Sequence, residues 1–413
     1  MPILKKIILG ASLALSALVP ASAAPAFESG QYRNLFAEHL GKTEAELDAK
    51  LQAVWDQFSI GDPATQRLFY TTADGMTYIP DIKHEDVRTE GQSYGMMLAV
   101  QMDKQAEFDR IWKWTRRYMY NPDGRFAGYY GWQCRYDGTR MSNGPASDGE
   151  EWFVMTLFFA AHRWGNGEGI FNYEAEAQAL LRHMLHNSDD GDDAVTPMFD
   201  RKEKQIVFVP TSRGSQFTDP SYHLPAFYEL WARWAADPDD RAFMAEAAEV
   251  SRRHFRAAAH PVTGLMPDYS HFDGTPVAFG EHGNFLFDAY RTIGNVALDW
   301  SWFGKDSWQI EQSNRVLAFL AAQGPNCPNN FTLDGKALTA DHSPGLFAMA
   351  AVGALAADSP DAKLFVQRLW DMPVPSGIER YYDGLLYHLA LLQVGGRYQI
   401  HAPKTSPNTP AKP

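Results

Sequence analysis

Apolar residues recur at helical spacing along most of this chain. Thr43 and Glu46 have the S/T-x-x-E spacing of a capping box, and Leu47, Leu51, Val54, Trp55 and Phe58 follow on one helical face. The same period predicts further helices over 90–102, 104–119, 147–163, 172–187, 221–236, 239–258, 285–302, 305–323, 344–357, 359–369 and 379–394, twelve in all. Extended signals are few. Tyr129 to Tyr136 reads as extended, and MFDRKEKQIVFVP (198–210) reads as a small hairpin with a polar turn. Twelve helices with mostly short connections predict six helical hairpins, so every second helix starts at the same end of the molecule. The expected fold class is all-α, a toroid of six helical hairpins with a few short strands.

This map gives the polar residues inside apolar segments a common address. Glu90 lies at the start of the second helix, Asp148 at the start of the fourth, and Tyr222 with His223 at the start of the sixth. Asp288 falls in the first turn of the eighth, His342 just before the tenth, and Tyr381 with Tyr382 at the start of the twelfth. If the even-numbered helices form an inner ring, all of these meet at one mouth. Each acid also has a structural explanation. Ser147 and Glu150 frame Asp148 as a capping box, and the helix dipole favours acids in a first turn. Arg291, three residues past Asp288, is spaced to pair with it. Taken together, acids at inner helix starts supply what glycoside hydrolysis requires: one carboxyl held protonated to donate to the leaving oxygen, and one ionised to activate water or attack. Trp132, Trp152, Phe287 and Tyr290 are candidate stacking surfaces for sugar rings.

The ends and the composition narrow the class. Lys5 and Lys6, the apolar run Ile7 to Val19 and Ala21-Ser22-Ala23 read as a secretory signal peptide over 1–23. A single catalytic domain is expected over 24–400 and a disordered tail over 401–413. The destination is then the periplasm or the extracellular space, with no membrane association after cleavage. The formal charge is −13, and about −15 without Lys5 and Lys6, so nucleic acid is not an expected partner. Aromatic residues make up 13%, with 12 Trp, which suits either a large core or a sugar-binding cleft. No Cys or His cluster has zinc-ligand spacing and no phosphate-cradling glycine motif occurs, so no metal or cofactor is expected. Cys134 and Cys327 are the only cysteines, and spacing leaves open whether they pair. Oligomeric state is not legible.

Three segments carry a specific resemblance. TEGQSYGMM (from Thr89), SDGEEWFVMTLFFAAHRWG (from Ser147) and FDAYRTIGNVALDW (from Phe287) resemble, in order and spacing, the signature segments of glycoside hydrolase family 8. The resemblance implies an (α/α)6 toroid and an inverting hydrolase of β-1,4-linked glycans. It also implies roles: Glu90 as general acid, Asp288 as general base, Asp148 as the residue that binds and helps distort the central sugar, and Tyr222 as a holder of the attacking water. NVALDWSWFG, WQCRYDG and DHSPGLFAM are most similar to the reducing-end xylose-releasing exo-oligoxylanases of that family. In those enzymes a loop with His and Pro closes the cleft beyond the leaving-group sugar, which points to His342, although Ser343 separates it from Pro344 here. The expected substrate-binding set is Asp148, Tyr222, Trp132, Arg291, His342, Tyr290 and Tyr382, and the expected substrate a xylo-oligosaccharide. The alternatives are an endo-acting β-1,4-xylanase or β-1,4-glucanase with an open cleft, and a non-catalytic glycan-binding toroid.

Overall fold

Periodicity found the major helices because each buries a stripe or a whole surface. The computed structural model describes residues 24–188 and 194–404. It contains α1 (Ala26–Ser29), α2 (Leu35–Leu40), α3 (Glu44–Ile60), α4 (Thr89–Gln101), α5 (Gln105–Tyr118), α6 (Ser147–Trp164), α7 (Tyr173–His186), α8 (Pro225–Trp234), α9 (Pro238–Ala258), α10 (Tyr290–Phe303), α11 (Trp308–Ala322), α12 (Pro344–Gly353), α13 (Asp361–Asp371) and α14 (Arg380–Val394). The last twelve correspond to the twelve expected. α1 and α2 were not expected, since four and six residues are too short to show a period. The capping box on α3 is formed: Thr43 Oγ1 accepts the Glu46 N–H, and the Glu46 carboxylate accepts the Thr43 N–H.

The even-numbered helices from α4 onward build an inner ring. α4 packs on α6, α10 on α8 and α12, α12 on α14, and α14 closes back on α4. Trp152 of α6 meets Phe227 of α8 with ring centroids 5.3 Å apart. The odd helices lie outside, α5 on α4, α7 on α6, α9 on α8, α11 on α10, α13 on α12 and α3 on α14. This is an (α/α)6 toroid. Burial follows position. Every residue of α4 from Gly91 on, and every residue of α6 from Ser147 to Ala161, is buried, as expected for a helix packed on all sides. The outer α9 buries one stripe through Phe243, Met244, Ala247, Ser251 and Phe255.

Strands occupy little of the chain. β1 (Tyr70–Thr71) pairs with β2 (Thr77–Tyr78). β3 (Pro80–Asp81), β4 (Asp86–Arg88), β5 (Gln133–Cys134) and β6 (Arg140–Ser142) form a four-stranded antiparallel sheet in that order. The extended stretch expected over 129–136 shrinks to β5 and a bridge at Tyr130. The hairpin expected over 198–210 is only an isolated Phe199–Ile206 bridge, because Lys204 turns the chain with φ +55° and no regular ladder follows. Cys134 and Cys327 are separate buried thiols, each pushed up to about 11 by burial. Residues 1–23, expected as a signal peptide, and 405–413 of the expected tail lie outside the described residues. His401 is not loose: its carbonyl is 2.8 Å from His162 Nδ1, so the packed chain runs at least one residue past 400. Among the described residues no helix is long and apolar enough to cross a membrane.

Candidate active site

The N-terminal ends of the inner helices gather the expected acids. β4 pairs Arg88 with Gln133, and the Thr89 N–H donates to the Trp132 carbonyl (3.0 Å), so the sheet delivers α4 beside Trp132. Glu90 is the second residue of α4 and Asp148 the second of α6. The two helix starts approach closely because Gly149 has no side chain; a Cβ there would stand 2.4 Å from Thr89 Oγ1. Asp288 is not in a first helical turn, as the periodicity suggested. α10 starts at Tyr290, and Asp288 stands in the turn before it. The sixth expected helix is likewise split, with a 3₁₀ turn at Pro220–Tyr222 and α8 beginning only at Pro225, because the rigid ring of Pro225 suits a first helical position. The capping box expected at Ser147 and Glu150 is not formed. Ala146 is the N-cap and makes no side-chain bond, while Glu150 turns inward and accepts the Tyr130 N–H at 3.0 Å.

One guanidinium joins the three acids. Arg291, in the first turn of α10 and buried, donates from Nη1 to Glu90 Oε2 (3.0 Å), Asp148 Oδ2 (3.2 Å) and the Tyr94 hydroxyl (3.0 Å). Its Nη2 donates to Asp288 Oδ1 at 2.8 Å. The pairing with Asp288 was legible at i, i+3; the bonds across the ring were not. Because both oxygens bond one planar fork, Glu90 Oε2 and Asp288 Oδ1 stand no more than about 8 Å apart. Glu90 Oε1 accepts the hydroxyl of buried Tyr381 at 3.0 Å. Gly91 makes room for that ring, since a Cβ there would lie 2.5 Å from it. Asp148 Oδ1 accepts the N–H of Gly149 at 2.9 Å.

The environments separate the acids. Burial pushes the Glu90 carboxyl up to about 7; Arg291 opposes this and the charges of Asp148 and Asp288 add to it. Burial also raises Asp148, against the pull of Arg291. Asp288 is the most exposed of the three, its side chain 31% accessible. A buried carboxyl raised to about 7 beside a more exposed acid suits acid–base chemistry at a glycosidic bond.

Glu90, Trp132, Asp148, Tyr222 and Asp288 border one cavity of about 510 Å³, together with Arg88, Phe208 and Tyr269. Tyr222 is buried, with its ring 5.5 Å from the Arg291 guanidinium and parallel to Phe208. Three expected contacts fall elsewhere. Tyr290 is fully buried and its hydroxyl donates to the Asn329 carbonyl (2.9 Å), so it is core and offers no stacking face. Tyr382 donates to the Phe287 carbonyl (2.8 Å), bracing the Asp288 turn rather than lining the cavity. His342 is exposed, with Nδ1 2.9 Å from the Cys327 carbonyl, and does not border this cavity. Two residues absent from the expected set belong to the site. Tyr94 lies four residues after Glu90 on the same helical face, a signal present in the sequence. Position in the sequence puts Tyr381 at the mouth together with its neighbour Tyr382 and does not show which of the two meets Glu90. Among the described residues no group of three or more His, Cys, Asp or Glu side chains is arranged to hold a metal ion.

A ring of paired helices that converges an elevated carboxyl and a solvated carboxylate on one aromatic cavity defines a glycoside hydrolase. The profile of glycosyl hydrolases family 8 matches residues 53–396, and the chain belongs to that family. It is 46% identical over 381 residues to the reducing-end xylose-releasing exo-oligoxylanase Rex8A of Paenibacillus barcinonensis, covering 91% of this chain and 98% of Rex8A. It is 45% identical over 383 residues to the reducing end xylose-releasing exo-oligoxylanase of Halalkalibacterium halodurans, covering 92% and 97%. Among solved structures, a catalytic-mutant family 8 xylanase from Teredinibacter turnerae in complex with xylohexaose matches with a TM-score of 0.88 and 44% identity, covering 92% of this chain and 100% of that one.

Proposed function

We propose that this protein hydrolyses β-1,4-xylosidic bonds of xylo-oligosaccharides, releasing xylose from the reducing end with inversion. The observation that carries the chemistry is the Arg291 bridge, which sets Glu90 and Asp288 on one fork with Glu90 elevated and Asp288 solvated. Glu90 gives its proton to the glycosidic oxygen as the C–O bond breaks. Asp288 takes a proton from the water that attacks the anomeric carbon from the opposite face. Asp148, tied to Arg291 and the Gly149 N–H, holds the sugar at the bond being cleaved, and Tyr222 and Trp132 flank it. The exo preference is supported by the names of the relatives at 45–46% identity. A second reading, endo-action on xylan, is favoured by the likeness to the T. turnerae xylanase.

A product time course on reducing-end-labelled xylotriose and xylotetraose separates the two. Early labelled xylose with little attack on polymeric xylan is expected. Internal cleavage, or activity on β-glucans alone, would sink the exo-oligoxylanase reading. We also propose export, on the basic-then-apolar pattern of 1–23 and the Ala21-Ser22-Ala23 site. The N-terminal sequence of exported protein should begin after Ala23; a chain retaining Met1 would refute cleavage.

A further inference from the structure

The turn that carries Asp288 lies outside any helix, and one buried side chain accepts backbone N–H groups on both sides of it. Asp268 lies in the segment after α9 and is buried. Its Oδ1 accepts two backbone N–H groups, those of Leu286 (3.2 Å) and Ala289 (3.0 Å), one on each side of Asp288. Its Oδ2 pairs with His282 Nδ1 at 3.1 Å. The Asp268 N–H donates to the Asn284 carbonyl (2.9 Å), so the residue grips this returning loop by backbone and side chain together. The His282 ring stacks on Tyr269, with centroids 4.2 Å apart and planes 13° from parallel, and Tyr269 borders the catalytic cavity.

We propose that Asp268 is a positioning residue for Asp288, that His282 holds it in its accepting, ionised form, and that the pair thereby sets the acidic limit of activity. This rests on the reading of Asp288 as the base. A carboxylate accepts two N–H bonds and a cation; a protonated carboxyl gives up part of that capacity. Burial, with the charge of Asp288, pushes the Asp268 carboxyl up to about 6, and His282 opposes this. His282 is itself raised by its bond to Asp268. The other charged or titratable groups facing the pair are Asp219, Tyr269 and Tyr290 toward Asp268, and Asp288 and Glu281 toward His282. As the medium becomes acidic, Asp268 takes up a proton, the Leu286 and Ala289 anchors weaken, and the Asp288 turn loosens.

The test uses Asp268→Asn and His282→Gln in the full chain, with wild type and Asp288→Asn as references, in kcat and KM against pH on labelled xylotriose. Asp268→Asn is expected to lower kcat about 10- to 100-fold, as a misplaced reacting group does, with KM within about threefold. Its acid limb moves to lower pH, because the residue no longer titrates and its charge no longer stands beside Asp288. His282→Gln is expected to cause a smaller loss and to move the acid limb to higher pH, because Asp268 loses its cation. Opposite displacements distinguish positioning from general weakening of the fold. Limbs coinciding with wild type, or moving together, would overturn the proposal. If Asp268→Asn does not fold, an unmoved limb in His282→Gln overturns it and an upward one supports it. If wild type leaves xylotriose intact but cleaves xylan or a β-glucan, the substrate reading fails and the same variants decide positioning on that polymer. A fully active Asp288→Asn would remove the base assignment and this proposal with it.

Discussion

Replacing Tyr381 with Phe removes one hydroxyl and tests the proposed general-acid role of Glu90 directly. That hydroxyl donates to Glu90 Oε1 at 3.0 Å in a buried setting, while Oε2 is held by Arg291. A hydrogen bond to a charged group contributes about 1.5–3 kcal/mol. Part of it survives when Glu90 is neutral, so the differential loss is about 1–1.5 kcal/mol, or roughly one pH unit at ~1.36 kcal/mol per unit. The sign follows from which form loses more. The ionised form does, so the Glu90 carboxyl rises from about 7 to about 8. A general acid must be protonated in the free enzyme, so the alkaline limb of kcat/KM should move up by about one unit. The assay is kcat/KM on labelled xylotriose across the neutral and alkaline range. The variant-to-wild-type ratio should rise about tenfold across the limb. A flat ratio, or a limb moving to lower pH, would show that the group on that limb is not Glu90.

Four other substitutions probe the same framework. Glu90→Gln and Asp288→Asn should each reduce turnover by about 10²–10⁴-fold with little change in thermal midpoint; near-normal turnover in either would remove that residue's role. Gly149→Ala puts a methyl 2.4 Å from Thr89 Oγ1, so it should cost about 1–3 kcal/mol and also reduce kcat by parting the two acidic helix starts. A stable, fully active variant in urea unfolding and turnover assays would contradict that close approach. Arg252, buried, holds Asp299 through two 2.8 Å bonds and Glu229 through one of 3.0 Å, and none of the three borders the cavity. Arg252→Met should cost about 3 kcal/mol in urea unfolding while the folded fraction keeps its kcat.

The ring was legible because inner helices are apolar on every side and outer ones on a stripe, and both patterns survive in one sequence. Glu90 and Asp148 could be placed because each opens such a helix. Asp288 was assigned to the right segment but the wrong local structure: Phe285, Leu286 and Phe287 extend the apolar pattern backwards, although Phe285 instead bridges Phe331 and α10 begins at Tyr290. Tyr290 misled for a related reason. A tyrosine beside an acid looks like a sugar platform, whereas its hydroxyl is taken by Asn329 across the core. Asp268 left no trace, because its partners at 282, 286 and 289 are joined to it by a loop and not by a period. Ser147 and Glu150 illustrate the converse. Their spacing is correct for a cap, but the buried floor beneath α6 offers Glu150 the Tyr130 N–H instead.

Arg291 shows why the ring matters to the chemistry. In sequence it is the partner of Asp288; in the structure it serves three acids. Burial is the main cause of the raised Glu90 carboxyl, and the allocation of donors differs among the three acids. Nη1 has two hydrogens and faces three oxygens, on Glu90, Asp148 and Tyr94. Nη2 faces Asp288 at 2.8 Å, and water reaches that side chain as well. Asp148 has the Gly149 N–H as a further donor. Glu90 has the neutral Tyr381 hydroxyl and a share of Nη1, and burial raises its carboxyl to about 7, while Asp148 is raised as well. The planar fork therefore gathers the three acids at one point, with Glu90, whose carboxyl is raised to about 7, and Asp288, the most exposed of them, on its two nitrogens; this is the arrangement on which the proposed acid and base roles rest.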